Sequence, residues 1–325
     1  MKILIIALPT TIEYIVPLLE ADGHDVLLLT GANDTIRAQA GPAFAPVELF
    51  NGDDDAIAYL GVEITRFAPN MVINMIPWIA LPSSSDYTYI GNTTASARLE
   101  THKWETRTKA GELGWNLPTL LEECDMNAVA EYDKTVYVKP KDECTSRQIF
   151  KLPTNSDSNA SELFNEIITN EGYDVEAYVE DTVDYTVEAW CFFTISNGSY
   201  SIIRTLGCTG YGDDKLITAP TDWTSAGDFT YVDLTDTQQS AWVTKCEAWL
   251  DYTVTLGGNY EGCIGGAIDD DNAVYWFEQN SRPGTHNAGM LPGTAQDWID
   301  GLTTDSTKSI NQISAATLRS ERGFG

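Results

Sequence analysis

Three short apolar runs, separated by stretches long enough for helices, constrain the first part of the chain more than any other feature. Lys2–Leu8 and Val26–Leu29 flank a helix-like segment, Thr11–Ala21, and a turn at Asp22-Gly23-His24-Asp25. Gly52–Phe67 reads as a second helix capped from Asn51 or Asp53, and Met71–Ile76 as a third strand closed by Pro77. Strand–helix–strand repetition of this kind is the pattern of a layered parallel α/β unit. A ligand crevice is then expected beyond the C-terminal ends of the strands. Pro9 and Glu13 interrupt the first run and no small-x-small site follows, so it reads as a buried strand and not as a secretion signal.

From Thr135 onward the pattern changes. Thr135–Lys139, Gln148–Leu152, Val175–Val179, Tyr185–Ile195, Ser201–Leu206 and Ala273–Glu278 read as strands, with one helix around Thr237–Leu250. Leu99–Gly111 reads as a single basic helix between the two regions, after a Pro82-Ser83-Ser84-Ser85 loop. At roughly 150 residues per domain, a chain of 325 residues accommodates two. An α/β domain over 1–95 and an α+β domain over 96–325 are the expected division.

Charge narrows the partners. With 19 basic against 48 acidic residues, the chain carries −29 and no block of Lys or Arg, which disfavours phosphate backbones and anionic lipid. No run approaches the roughly 18 apolar residues of a membrane span. Cys124, Cys144, Cys191, Cys208, Cys246 and Cys263 are scattered without C-x-x-C and read as reduced core thiols of a cytoplasmic protein. The N-x-[ST] triplets at Asn33, Asn92, Asn159 and Asn197 then read as chance. Neither G-x-G-x-x-G after the first strand nor G-x-x-x-x-G-K-[ST] anywhere is present, which sets aside the usual dinucleotide and P-loop sites.

Two segments carry chemistry. In Tyr275-Trp276-Phe277-Glu278-Gln279-Asn280-Ser281-Arg282-Pro283-Gly284, an extended backbone places Glu278 and Asn280 on one face with Arg282 next. A carboxylate and an amide oxygen suit Mg²⁺, and a neighbouring guanidinium suits a phosphoryl group. A strand ending in a solvated Pro-Gly turn would look the same. In Val136-Tyr137-Val138-Lys139-Pro140, followed by Thr145-Ser146-Arg147, a lysine on an apolar strand precedes a hydroxyl-rich turn, which suits a nucleotide phosphate. An edge-strand lysine reaching to water is the alternative.

Together, in this order and at these intervals, the segments from about Thr94 to Gly293 resemble the ATP-grasp superfamily. That resemblance implies a two-subdomain α+β ATP-grasp domain, with 130–180 as the small nucleotide-covering part, following an α/β domain. It implies ATP and Mg²⁺ as cofactors, with Lys103, Lys139, Thr145, Ser146 and Arg147 on the phosphates. The family's phosphate-covering loop is glycine-rich, whereas no glycine lies between Pro140 and Gly172 here. The resemblance also implies Glu176, Tyr178 and Val179 as the adenine hinge and Asp184 on the ribose. Glu278 and Asn280 match the E-x-N metal pair, and Arg282 the arginine beside it. Arg107 is a neighbour of Lys103, and Arg204 and Lys215 are candidates to hold an acceptor carboxylate or γ-phosphate.

The family's other metal-binding acid, thirteen positions before the glutamate, is replaced by Gly265. That feature and Asn280-Ser281-Arg282-Pro283-Gly284 are similar to the phosphoribosylamine–glycine ligase branch, without its extra C-terminal domain. Asp269, Asp270 and Asp271 are expected to form the hairpin turn before the last strand. The implied activity is an ATP-dependent ligase joining a small-molecule carboxylate to an amine through an acyl phosphate. A catalytically impaired ATP-binding protein of the same fold is the first rival. A secreted carbohydrate binder, suggested by nine Trp and the N-x-[ST] triplets, is the second.

Overall fold

The computed structural model describes residues 1–7, 16, 19–29, 54–76, 79, 81, 84–123, 136–141, 150–152, 177–181, 183–209, 230–282 and 299. Strands β1 (Lys2–Ile6), β2 (Asp25–Leu29), β3 (Met71–Asn74) and β4 (Thr88–Ile90) form one parallel sheet in the order β2-β1-β3-β4. Ile3 and Ile5 pack on one face with Leu19, Leu28 and Ile73; Leu4 and Ile6 pack on the other with Leu27, Leu60 and Val72. Burial on both faces is why these strands read as continuous apolar runs instead of alternating ones. Leu60 comes from helix α1 (Asp54–Phe67), close to the expected bounds.

The single basic helix expected over Leu99–Gly111 is two helices, α2 (Thr94–Thr101) and α3 (Lys103–Glu112). His102, at φ −118° and ψ 73°, leaves the helical region between them. Other bonds replace the missing ladder there: Trp104 N–H donates to Lys141 O, just after β6, at 3.2 Å, and Thr106 Oγ1 donates to Leu99 O at 3.1 Å. Periodicity alone does not register such a break, because the polar and apolar positions stay in phase across it. Thr93 and Ser96 form a reciprocal capping box that starts α2.

The remainder is antiparallel. Strands β5 (Leu120–Glu123), β6 (Val136–Pro140), β7 (Phe150–Leu152) and β8 (Ala177–Asp181) form a sheet in the order β5-β8-β6-β7. Strands β9 (Val187–Ser196), β10 (Ser199–Thr209), β11 (Thr230–Val232), β12 (Tyr260–Ile268) and β13 (Val274–Asn280) form the other, in the order β11-β10-β9-β12-β13. Helix α4 (Asp236–Thr255) covers one face of this second sheet, extending further than the sequence suggests at its C-terminal end. Strands β4, β5, β11 and β12 were not expected. β12 carries Gly262, Gly265 and Gly266, which count against a strand by propensity. Its glycines are there because the neighbours leave no room: a Cβ on Gly266 would lie 2.2 Å from Tyr275 O and 2.8 Å from the Trp242 ring.

Tryptophan dominates the core beneath α4. Trp115 lies edge-on to Trp242 and Trp276 at centroid separations of 5.5 and 5.1 Å, and Trp249 contacts Trp276 at 4.2 Å. The Trp249 indole N–H donates to Gln279 Oε1, so the strand bearing the candidate metal pair is held from below by this cluster. Cys191, Cys208, Cys246 and Cys263 are free and buried, as expected of core thiols. Burial, with Glu188 nearby, pushes the Cys208 thiol up to about 12. Asn92 is buried and its side chain donates to Ser281 O at 2.6 Å, so that triplet serves packing. The expected turn is present: Asp269 Oδ1 accepts from Asp271 N–H at 3.0 Å and Ala273 N–H at 2.8 Å. Among the described residues, no helix is long and apolar enough to cross a membrane.

Trp276→Ala, which empties the centre of this cluster, should cost about 3–5 kcal/mol of stability. The midpoint of urea unfolding followed by circular dichroism measures it.

Candidate active site

Antiparallel pairing brings residues from four strands into rows on the face of the large sheet opposite α4. One row runs Arg204, Phe192, Cys263, Asn280; the next runs Leu206, Trp190, Gly265, Glu278. Directly paired residues point to the same face. Glu278 and Asn280 therefore stand side by side at the β13 edge, as the i, i+2 spacing requires. Arg204 shares their face but sits three strands away, about 14 Å at the usual strand spacing. The Cβ position of Gly265, opposite Glu278, meets the Trp190 ring at 3.0 Å. A carboxylate there would displace an indole, so the expected absence of a second acid is enforced by packing.

The Asn280 side-chain N–H₂ donates to Glu278 Oε1 at 3.1 Å and points to Cys263 Sγ at 3.7 Å. Its Oδ1 has no partner among the described residues. Burial pushes the Glu278 carboxyl up, but Lys103, the Asn280 amide, Lys139 and Arg282 together outweigh it, and the net direction is down. Glu278 is thus an anion throughout the neutral range. Lys103, the first residue of α3 after the break at His102, places Nζ 3.7 Å from Glu278 Oε2. An unbroken helix would have carried this lysine in another direction.

Lys139 arrives from the opposing small sheet. Its Nζ bonds to Glu180 Oε2 at 2.6 Å and lies 5.8 Å from the ring of Phe277, the residue before Glu278. Glu180 is almost fully buried on β8 and also binds the Arg107 Nε at 2.5 Å; Arg107 in turn donates to Pro118 O at 2.7 Å. Tyr178, on the same strand face as Glu180, packs against Trp104 at 5.2 Å, with Lys141 Nζ 5.0 Å from the same indole. Tyr178 and Val179 lie inside β8 with β5 and β6 on either side. Asp184 is exposed between β8 and β9. Thr145, Ser146, Arg147, Glu176 and Lys215 lie outside the described residues.

Arg282 leaves the end of β13 and is anchored by a residue that motif reading passed over. Glu100 on α2, 1% exposed, accepts from Arg282 Nε at 2.8 Å and from Ser281 N–H at 2.9 Å. Glu100 holds the Arg282 guanidinium protonated even against the cost of burial. A signal existed: Ser96 and Glu100 are polar at i and i+4, one stripe of a helix. Glu180 offered a weaker one, as an acid sharing a strand face with Tyr178.

The site therefore assembles Lys103, Arg107, Lys139 and Arg282 against Glu100, Glu180 and Glu278, a net positive cluster in a chain of net charge −29. Four cations beside one carboxylate–amide pair suit a polyanion together with a divalent cation.

No known protein-family signature matches the chain, and no curated protein matches it. Solved structures do. The L-amino acid ligase of Bacillus licheniformis is similar over 98% of this chain and 76% of its own, with a TM-score of 0.66 and 14% identity. N5-carboxyaminoimidazole synthase of Aspergillus clavatus, solved with ADP and an aminoimidazole ribonucleotide, is similar over 96% and 80%, with a TM-score of 0.65 and 12% identity. Biotin carboxylase of Campylobacter jejuni, solved as a β,γ-ATP complex, is similar over 97% of this chain and 72% of its own, with a TM-score of 0.61 and 12% identity. At such identities the likeness establishes the fold, which is the ATP-grasp fold, and none of these three is a phosphoribosylamine–glycine ligase.

Removing Glu180 leaves Lys139 and Arg107 together without their shared anion. Glu180→Ala should lose about 3–5 kcal/mol, read as a fall in thermal unfolding temperature that Glu180→Asp partly restores.

Proposed function

We propose that this chain is an ATP- and Mg²⁺-dependent ligase that joins a small-molecule carboxylate to an amine through an acyl phosphate. The observation that carries the reading is the convergence of Lys103, Lys139, Glu278 and Arg282, from three separate parts of the sequence, between the two antiparallel sheets. The fold shared with ligases and a carboxylase supports it.

The donor set fits Mg²⁺. Glu278 supplies a carboxylate that stays ionised at neutral pH, and Asn280 Oδ1 is unengaged among the described residues. Hard oxygen ligands in this number leave the remaining positions for water and phosphate, the usual arrangement for this ion. When bound, Mg²⁺ neutralises phosphate charge and fixes the phosphates relative to one another.

The protein's own residues position and screen. Lys103 and Arg282 flank the carboxylate–amide pair and stabilise negative charge on the phosphoryl group being transferred. Lys139, kept in place by Glu180, meets the phosphates from the small sheet. Arg204, on the same sheet face, is the candidate for the acceptor carboxylate. Thr145, Ser146, Arg147 and Lys215 are assigned to the phosphate and acceptor side, and Glu176, Tyr178, Val179 and Asp184 to the nucleoside, on the family pattern. Such catalysis is mostly orientation and electrostatics and needs no protein nucleophile.

A screen of amino acids and sugar amines, phosphoribosylamine with glycine among them, should give acceptor-dependent ADP release with Mg-ATP. Glu278→Gln should lower turnover about 10²–10³-fold, in line with loss of one preorganised charge contact, and Lys139→Ala should lower it less. Full turnover by Glu278→Gln would remove the metal assignment. The glycine-free stretch after Pro140 favours a second reading, a nucleotide-binding protein without turnover. Under it, Mg-ATP at 100 times its Kd adds about 2.7 kcal/mol of stability while no acceptor releases ADP.

A further inference from the structure

We propose that Glu100 is the positioning residue that aims Arg282 at the terminal phosphoryl group of the bound nucleotide. This rests on the ligase reading above and assigns a role to a residue outside every nucleotide motif. Glu100 lies on α2, far from β13 in sequence, and is 1% exposed. A buried carboxylate is costly unless its oxygens are bonded. Both are used, and on different kinds of donor: Oε2 accepts the main-chain N–H of Ser281, and Oε1 accepts Arg282 Nε.

That division fixes two things at once. The bond to Ser281 sets where the chain leaves β13, and the bond to Nε sets the plane of the guanidinium. With Nε committed, the Nη groups form a fork that cannot rotate freely, and they take no acceptor among the described residues. Arg282 follows Asn280, the last residue of β13, by two positions, so the fork stands at the same end of the strand as the carboxylate–amide pair. Glu278 and Asn280 would hold a divalent cation that neutralises the nucleotide's phosphates, and a donor fork at the same end of the strand would then meet the terminal phosphoryl group. A planar fork suits phosphate oxygens in a way that an ammonium group does not.

Other residues at and before the start of α2 hold the backbone and not the guanidinium. Asn92 donates to Ser281 O at 2.6 Å, and Ser281 Oγ reaches Ser96 O at 3.4 Å while accepting from Gln279 Nε2 at 2.9 Å. α2 is itself fixed at its start, where Thr93 Oγ1 donates to Leu256 O at 2.8 Å. Among the described residues, Glu100 alone joins this frame to Arg282. A purely structural carboxylate would affect all nucleotides alike, whereas one that aims Arg282 affects only those with a γ-phosphate.

The test compares the binding of Mg-ADP and the non-hydrolysable Mg-AMP-PNP by calorimetry in wild type, Glu100→Gln, Glu100→Asp and Asn92→Ala. Wild type should prefer AMP-PNP by about tenfold, the scale of one charge-assisted bond pair. Glu100→Gln and Glu100→Asp should lose most of that preference while keeping the ADP affinity, and Asn92→Ala should retain the preference. An unchanged preference in either folded Glu100 variant overturns the proposal. So does loss of near-UV circular dichroism in both, which would make Glu100 a structural counter-ion. Failure of wild type to bind either nucleotide overturns the ligase reading itself, a result distinct from both.

Discussion

Cations held side by side repel one another, and they stay together in a partly buried cleft only when carboxylates stand between them. Here Glu180 separates and holds Lys139 and Arg107, Glu100 holds Arg282, and Glu278 faces Lys103. Two of these carboxylates are almost fully buried and therefore rigid. The arrangement leaves the cluster with a small positive excess inside a strongly acidic molecule. The overall charge repels polyanions at long range, and the local excess admits one of the right size at short range.

A charge cluster of this kind needs a frame that does not yield. The large sheet provides it through the tryptophans beneath β13 and the bond from Trp249 to Gln279, the residue between Glu278 and Asn280. A bulge at Phe277 shifts the register, so Val274, Trp276 and Gln279 are committed to the core while Glu278 and Asn280 take the opposite face. Gly265 and Gly266 on the neighbouring strand admit the Trp190 and Trp242 rings at close approach. The same packing that stiffens the strand removes room for another acid opposite Glu278.

Much of the candidate site was legible because its chemistry is local. Glu278 and Asn280 are neighbours on one strand with Arg282 just beyond its end, and a period of two places the first pair on one face. Lys139 stood out as a cation in an apolar strand. Glu100 and Glu180 did not, because each acts on a residue distant in sequence, and a buried acid looks like a surface acid until its partner is known. The strand β12 was hidden by its glycines, whose purpose is to receive rings contributed by β9 and α4. The break at His102 was hidden because both halves of the helix share one polarity pattern.

The amino-acid sequence by itself determined the parallel α/β pattern at the start of the chain, the strand-rich α+β pattern after it and the shared strand face of Glu278 and Asn280. Those follow from periodicity and from backbone geometry over a few residues. Only the tertiary structure decided which carboxylate restrains which cation, that α2 reaches β13, and that Lys103 turns toward Glu278. Such pairings are fixed by the relative placement of whole sheets and helices, which arises from packing summed over the chain and leaves no trace in any short stretch of it.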